Sequence, residues 1–460
     1  MIAMSYADFL SSYPDYAATT NIDAIRAKEY SLLDTQDQVY LDYTGANLFA
    51  QAQVKAHMDV LQAHVFGNPH STNPTSLQAT QLVETTRRAV LDYFHASKDY
   101  YCVFTSNATQ SLKIIGESYP FDHHAHFLLL FDNHNSVNGI REYARRHGAT
   151  FEYAPVYMED LRIDEKVLQQ KLQAHPHKKH KLFAFPAQSN VSGVKHDLGW
   201  IAKAKQQGWD VLLDAAAYVP SSELDLSMVQ PDYVSLSFYK MFGYPTGIGA
   251  LLIKKTAFEK LDKPWFAGGT VSYVSVTVPE FFLVDNQERF EEGTVNFLSI
   301  PAVKIGLDWM QELNMQQVRT RLHALTDYLI QSLLSLKHQT GQPLIHVFGP
   351  HNMEARGYTI IINFFGAKGE KLDVSTIEQA ANQQRISIRM GCFCNPGIDE
   401  INNCITSEEL SLFYSSRTDT HYDKVHFLGK MRGAIRVSLG LMSNYADCEK
   451  FIAFCRQFLQ

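Results

Sequence analysis

DAAAYVPSSELDLSMVQPDYVSLSFYK, residues 214–240, places an aspartate at the end of one apolar strand and a lysine just after the next. A lysine at a strand end, backed by a fixed carboxylate one strand away, suits pyridoxal 5'-phosphate (PLP) chemistry. In such chemistry a lysine amine condenses with the cofactor aldehyde, and a carboxylate keeps the pyridine nitrogen protonated so that the ring draws electrons. Neither residue is distinctive alone, since a lysine after a strand is usually a solvated surface residue.

The surrounding chain supplies the frame for that pair. Apolar runs at 100–106, 125–133, 181–189, 210–215, 233–238 and 249–255 alternate with amphipathic stretches such as 76–96 and 137–148. Short apolar strands separated by helices predict an α/β fold with a mostly parallel sheet covered on both faces. Ligands in such sheets sit beyond the carboxyl ends of the strands. Residues 300–336 have helical period and predict one long connecting helix. Strands at 356–365, 385–390 and 434–440 and a terminal helix at 446–458 then predict a smaller α+β domain. The expected division is 36–310 for the large domain, with 1–35 and 311–460 forming the small one.

Composition narrows the function. The chain has 460 residues, 45% hydrophobic and 19% charged, enough for two domains. A net charge of -7 gives no basic footprint, so no nucleic-acid partner is expected. No apolar run is long enough for a membrane span, and the first residues show no signal-peptide pattern. Six cysteines in 460 residues make no disulfide framework, so a reducing cytoplasm is the expected compartment.

Further segments fit the same chemistry. In FTSNATQSLKII (104–115), Asn107, Ala108 and Thr109 stand where a strand turns into a helix, which favours an anion such as a phosphate. Ser237 offers another hydroxyl, and FAGGT (266–270) is a second glycine-rich turn that can reach a phosphate from a neighbouring subunit. No GxGxxG follows the first strand, which counts against a dinucleotide fold. His134 follows a strand and can stack on a flat ring. Asn190 suits a ring oxygen or a substrate carboxylate. Arg436, in a strand, suits a carboxylate clamp or a structural ion pair. In RMGCFCNPG (389–397), the flanking glycines and proline predict a mobile loop, where a cysteine near Arg389 can be a reactive thiolate. The runs HHAH (123–126) and HPHKKH (175–180) lack a paired cluster at ligand spacing and read as solvated, so no metal is expected.

Taken together, YLDYTGANLF (40–49), FGNPHS (66–71), FTSNATQS (104–111), DNHNSV (132–137), LLDAAAYVP (212–220), SFYKMFGYPTGIGAL (237–251), FAGGTV (266–271), FEEGTVNFL (290–298), RMGCFCNPG (389–397) and IRVSLGLMSN (435–444) resemble the class V aminotransferases. Within that group they resemble the cysteine desulfurases, and especially the N-terminal desulfurase domain of molybdenum-cofactor sulfurases. The resemblance spans about residues 40–445 and implies the fold type I architecture of PLP-dependent transferases. It implies Lys240 as the residue that carries the cofactor, Asp214 at its ring nitrogen and His134 over its face. Asn107, Ala108, Thr109, Ser237 and Tyr239 would surround it, with Gly269 and Thr270 supplied by the partner of a homodimer. Arg436, Asn190 and Arg389 would hold the substrate, and Cys394 matches the persulfide-forming cysteine.

The expected activity is therefore removal of sulfur from L-cysteine with release of L-alanine, the sulfur passing to a protein or cofactor acceptor. Ala217 stands where bacterial desulfurases have a glutamine, and Tyr239 where they have a histidine, which points to the sulfurase-like branch. The molybdenum-cofactor-binding domain of those sulfurases has no counterpart expected within these 460 residues. Relatives of the group also carry out C–S lysis, epimerisation, decarboxylation and kynurenine cleavage. A sulfur-relay protein that keeps the fold without turnover is the non-enzymatic alternative.

Overall fold

Seven strands form one sheet whose central members are buried along nearly their whole length, as a sheet covered on both faces requires. They are β1 (Tyr100–Thr105), β2 (Ala125–Leu130), β3 (Thr150–Ala154), β4 (His180–Pro186), β5 (Asp210–Asp214), β6 (Tyr233–Ser237) and β7 (Gly249–Lys254). The spatial order is β1-β7-β6-β5-β4-β2-β3, with β7 antiparallel to both neighbours and the other pairings parallel. The computed structural model describes residues 4–416, 426–427 and 430–460.

The sequence reading missed β3. Its run TFEYA is exposed at its first two residues and lies at the sheet edge, so it lacks the apolar signature of a central strand. The expected connecting helix is two helices, Pro301–Glu312 and Met315–Ser335. Asn314 ends the continuity, because its side chain accepts from the Gln317 backbone N–H at 3.2 Å and caps a new helix. Gly306 in the first of these helices lies against the Phe242 ring, where a Cβ would come within 2.1 Å. That contact seats the helix on Phe238–Phe242, the short helix bearing Lys240.

A second, antiparallel sheet contains β8 (Ile345–Phe348), β9 (Thr359–Phe364), β10 (Arg389–Gly391) and β11 (Ala434–Ser438), in the order β8-β9-β11-β10. The chain near the amino terminus joins it. Val39–Tyr40 pairs in parallel with Ile386–Ser387, and Asp42 bridges to Ser438. The preceding helices pack against the carboxyl-terminal ones. Arg26 Nη1 donates to Asp447 Oδ2 at 2.5 Å, and Arg321 Nε donates to the Ser443 carbonyl at 2.9 Å. The Phe9 ring lies 5.1 Å from Tyr328 and 4.7 Å from Tyr445.

Candidate active site

The carboxyl ends of β4, β5 and β6 open into a cleft. Asn107, Ala108, Thr109, His134, Asn190, Asp214, Ser237, Tyr239 and Lys240 all line it. Nine of the expected site residues, spread over more than 130 positions of sequence, thus meet in one place. Pairing of β4 with β5 and of β5 with β6 sets Asp214 beside both Pro186 and Ser235. Lys240 follows three residues after β6 ends.

Lys240 is half-buried, and its ammonium makes no hydrogen bond or ion pair among the described residues. Burial pushes its pKa below the usual lysine value; Asp214 opposes that shift, Arg436 adds to it, and Cys394 opposes it. An amine in this state is readily available neutral, as condensation with an aldehyde requires. Burial likewise pushes the His134 imidazole down; Asp214 opposes, while Lys240 and Arg436 reinforce. His134 Nδ1 accepts from the Ser136 backbone N–H at 3.1 Å, which fixes the ring and the tautomer. Asp214 Oδ1 accepts from the Ala216 backbone N–H at 3.1 Å.

At the other end of the cleft begins the helix Ala108–Ser118, whose first N–H groups have no partner within the helix. Asn107 caps it by accepting from the Gln110 N–H at 3.0 Å. The Thr109 and Ser136 hydroxyls lie 2.8 Å apart on the cleft wall. Gly249 lets this turn sit close, since a Cβ there would lie 2.7 Å from the Asn107 carbonyl carbon. The donor set fits a phosphate. Gly269 and Thr270 do not line the cleft of their own chain. The Thr270 hydroxyl is taken up within its turn, donating to the Ala267 carbonyl at 2.9 Å.

The cysteine-bearing segment, expected as a mobile loop, makes several bonds to the first sheet's loops. The Asn135 N–H donates to the Cys394 carbonyl at 2.6 Å, and Asn190 Nδ2 donates to the Phe393 carbonyl at 2.8 Å. Asn395, fully buried, donates to Asp132 Oδ1 at 2.6 Å and to Asn190 Oδ1 at 3.2 Å. At Gly397 a Cβ would lie 2.2 Å from the Phe131 carbonyl oxygen, so the missing side chain lets the two backbones touch. Of the flanking glycines, Gly397 serves close packing, whereas Gly391 has open space at its Cβ position and a φ of 120°. Phe393 and Cys394 both hold positive φ, 55° and 54°, and Cys394 is exposed. Cys392 is half-buried, and burial with the neighbouring Asp399 pushes its thiol up to about 12.

Arg436 takes the structural ion pair of its two candidate roles and keeps one donor spare. Its Nη2 donates to Asp42 Oδ1 at 2.8 Å and its Nη1 to the Asn190 carbonyl at 3.0 Å, while Nε is buried without a partner. Arg389 binds the other Asp42 oxygen at 2.6 Å through Nη2. Sequence reasoning missed Asp42, although it lies in the quoted LDYTGAN run; nothing local marks it as the partner of two arginines far along the chain. It also missed Gln188, which lines the cleft beside Ala217. Gln188 Nε2 donates to the Ala217 carbonyl at 3.0 Å, and its Oε1 is buried without a partner among the described residues. The two histidine runs are not simply solvated: His126 is buried, and its ring stacks on that of His175 at 3.8 Å.

An α/β sheet with a lysine cleft at its strand ends, joined to an antiparallel second sheet, defines the class. The profile of the class V aminotransferases matches residues 39–451, and the chain belongs to that family. Over 96% of its length it is 35% identical to the molybdenum cofactor sulfurase of Solanum lycopersicum, and over 94% it is 34% identical to that of Homo sapiens. The matches span 58% and 50% of those relatives, so the chain covers about half to three fifths of their length. Among solved structures, the apo form of a cysteine desulfurase from Thermococcus onnurineus NA1 superposes with a TM-score of 0.79 at 22% identity, over 95% of this chain and 98% of that one. That superposition bears out the expected fold.

Proposed function

We propose that this chain is a PLP-dependent enzyme that takes sulfur from L-cysteine as a persulfide on Cys394 and releases L-alanine. One observation carries the reading: an unpartnered lysine amine with a lowered pKa shares a cleft with Asp214 and His134, within electrostatic reach of the Cys394 thiol. Bound PLP supplies an aldehyde for that amine and a ring that withdraws electrons from the substrate α-carbon.

The chain's own groups do the rest. The N–H groups of Ala108 and Thr109, with the hydroxyls of Thr109 and Ser237, would hold the phosphate. Asp214 would balance a positive pyridine nitrogen, and His134 would cover the ring. Arg436 attracts the substrate carboxylate with Asn190 and Arg389 beside it, and Tyr239 closes the wall next to Lys240. Freed by the incoming amino acid, Lys240 Nζ accepts the α-proton. The Cys394 thiolate attacks the substrate sulfur; the S–S bond forms as the Cβ–S bond breaks. Cβ keeps the bonding pair and takes a proton, and Lys240 Nζ returns its proton to Cα, which leaves alanine.

The reading extends to the assembly. A hairpin of Val271–Val274 and Phe281–Leu283 exposes Tyr273, Val276, Val278 and Phe282. Such an apolar surface fits a homodimer in which the adjoining Gly269–Thr270 turn serves the partner's cleft. The lobes divide near residue 310, and the amino-terminal segment through Asp42 goes with the smaller lobe, whose second sheet it joins. The final sulfur acceptor is a protein or a cofactor met in the cytoplasm. Among the described residues no helix is long and apolar enough to cross a membrane.

Borohydride reduction of the purified protein with PLP, followed by peptide mapping, tests cofactor attachment; the pyridoxyl group belongs on Lys240. A product assay with L-cysteine and a reductant then tests the reaction. Alanine with sulfide is expected. Pyruvate in place of alanine would transfer the assignment to C–S lysis.

A further inference from the structure

At the amino-terminal end of the sheet, opposite the Lys240 cleft, two histidine-rich runs converge on one carboxylate. His126 stands at the start of β2, its Cα paired with Thr150 of β3, and Glu152 lies two residues further on the same face of β3. His175 comes in from the loop after the helix Glu165–Gln173. His126 Nε2 lies 3.2 Å and His175 Nε2 3.0 Å from the same oxygen, Glu152 Oε1. We propose that His126, Glu152 and His175 bind one divalent transition-metal ion of the zinc class.

The donor spacing is that of a small coordination sphere. Zinc bonds of about 2.0–2.1 Å at tetrahedral angles put neighbouring donor atoms about 3.3 Å apart. The two nitrogen–oxygen separations match that figure closely, and all three donors lie within 4.8 Å of one another. An ion at their centre needs only small side-chain shifts. Two imidazoles and one carboxylate select zinc, nickel or copper over calcium and magnesium, which prefer all-oxygen sets.

Supporting contacts of the kind that orient ligands are in place. His126 Nδ1 lies 2.7 Å from the Thr150 hydroxyl, so donation there turns the Nε2 lone pair toward Glu152. Lys171 Nζ binds the other Glu152 oxygen, which leaves Oε1 as the coordinating atom. The His126 side chain is 3% exposed, while those of Glu152 and His175 are 26% and 24% exposed. Three protein ligands with one open side leave a fourth position for water. A bound ion ties the 174–179 loop to the sheet edge and leaves the cleft chemistry untouched.

The test uses full-length holoprotein stripped of metal with a chelator and titrated with zinc against a chromophoric competitor. One zinc per chain is expected. Binding should be lost in His175→Ala and Glu152→Gln and weakened about 10–100-fold in Thr150→Val, while the cofactor absorbance stays unchanged. Cobalt replacing zinc should show no thiolate charge-transfer band, which keeps the site distinct from Cys392 and Cys394 even if a variant misfolds. No saturable binding to the parent chain, a thiolate band at the first equivalent, or undiminished binding in folded His175→Ala overturns the proposal.

Discussion

Asp42 Oδ1 accepts from Arg436 Nη2 at 2.8 Å, joining a segment near the amino terminus to the second sheet. Both side chains are buried, at 11% and 4% exposure, so the charges are largely desolvated. Removing one member of such a pair leaves the other uncompensated and costs about 3–5 kcal/mol. Arg389 is half-exposed and adds less, because solvent screens it. Asp42→Asn should therefore destabilise the protein by about 3 kcal/mol in urea unfolding. An unchanged midpoint would show that the Arg436 guanidinium finds compensation elsewhere.

The two cysteines of the GCFC segment should react unequally. Cys392 stays protonated across the physiological range, because burial and Asp399 hold its thiol up at about 12. Cys394 is exposed. Iodoacetamide at pH 8, read by peptide mass spectrometry, should label Cys394 at least about tenfold faster, since the thiolate is the nucleophile. Cys394→Ser should abolish the persulfide and leave the cofactor absorbance intact. Normal alanine and sulfide output from that variant would remove Cys394 from the reaction.

Lys240 sets a pH dependence. Its folded pKa lies below its unfolded one, so the protonated amine costs stability in the apoprotein, and that cost fades as pH rises through the folded value. Condensation with PLP needs the neutral amine. The rate of reconstitution should climb with pH and level off before the ordinary lysine pKa of about 10.4. Asp214 raises the Lys240 pKa, so Asp214→Asn should shift the climb to lower pH. A profile centred at the free-lysine value would contradict the burial.

His126 gives an acid-labile contribution elsewhere in the sheet. Burial, with His175, pushes its imidazole down to about 4 from an unfolded value near 6.5. The stability it permits is fully present above pH 6.5 and is lost as pH falls from there toward 4. Allowing for screening through half-exposed Glu152 and His175, the loss is on the order of 2 kcal/mol. In metal-free protein, unfolding free energies from urea titrations at pH 7 and pH 4.5 should differ less in His126→Gln than in the parent, by that amount.

The exposed hairpin predicts an association equilibrium. Phe282→Asp with Val276→Asp should convert a dimer to a monomer in size-exclusion chromatography with light scattering. Both residues are well exposed in the single chain, at 69% and 101%, so folding of the monomer should survive. A parent chain that is monomeric at micromolar concentration would refute the expected dimer.

Much of this was legible in the sequence because local chemistry marks it. The apolar runs located six of the seven strands, and the strand-to-helix turns located Asn107, His134 and Lys240. What escaped notice depends on contacts between distant segments. Asp42 acquires its role only when a two-residue strand pairs beside β11. Gln188 is informative only through its unpartnered oxygen. The Cys394 loop reads as mobile from its glycine and proline, yet Gly397 is there to admit the Phe131 carbonyl. His126 and His175 are 49 positions apart, too far for ligand spacing to be recognised.

The anchoring of Asn395 has a consequence for traffic. Because that residue is bonded to Asp132 and to Asn190, which lines the cleft, the backbone beside Cys394 is tied to the cleft edge. Under the proposed reaction, a sulfur on Cys394 would ride on an anchored segment rather than on a tether. A recipient would then have to come to the exposed Cys394, so selectivity among recipients would be decided by the shape of that landing place rather than by the reach of an arm.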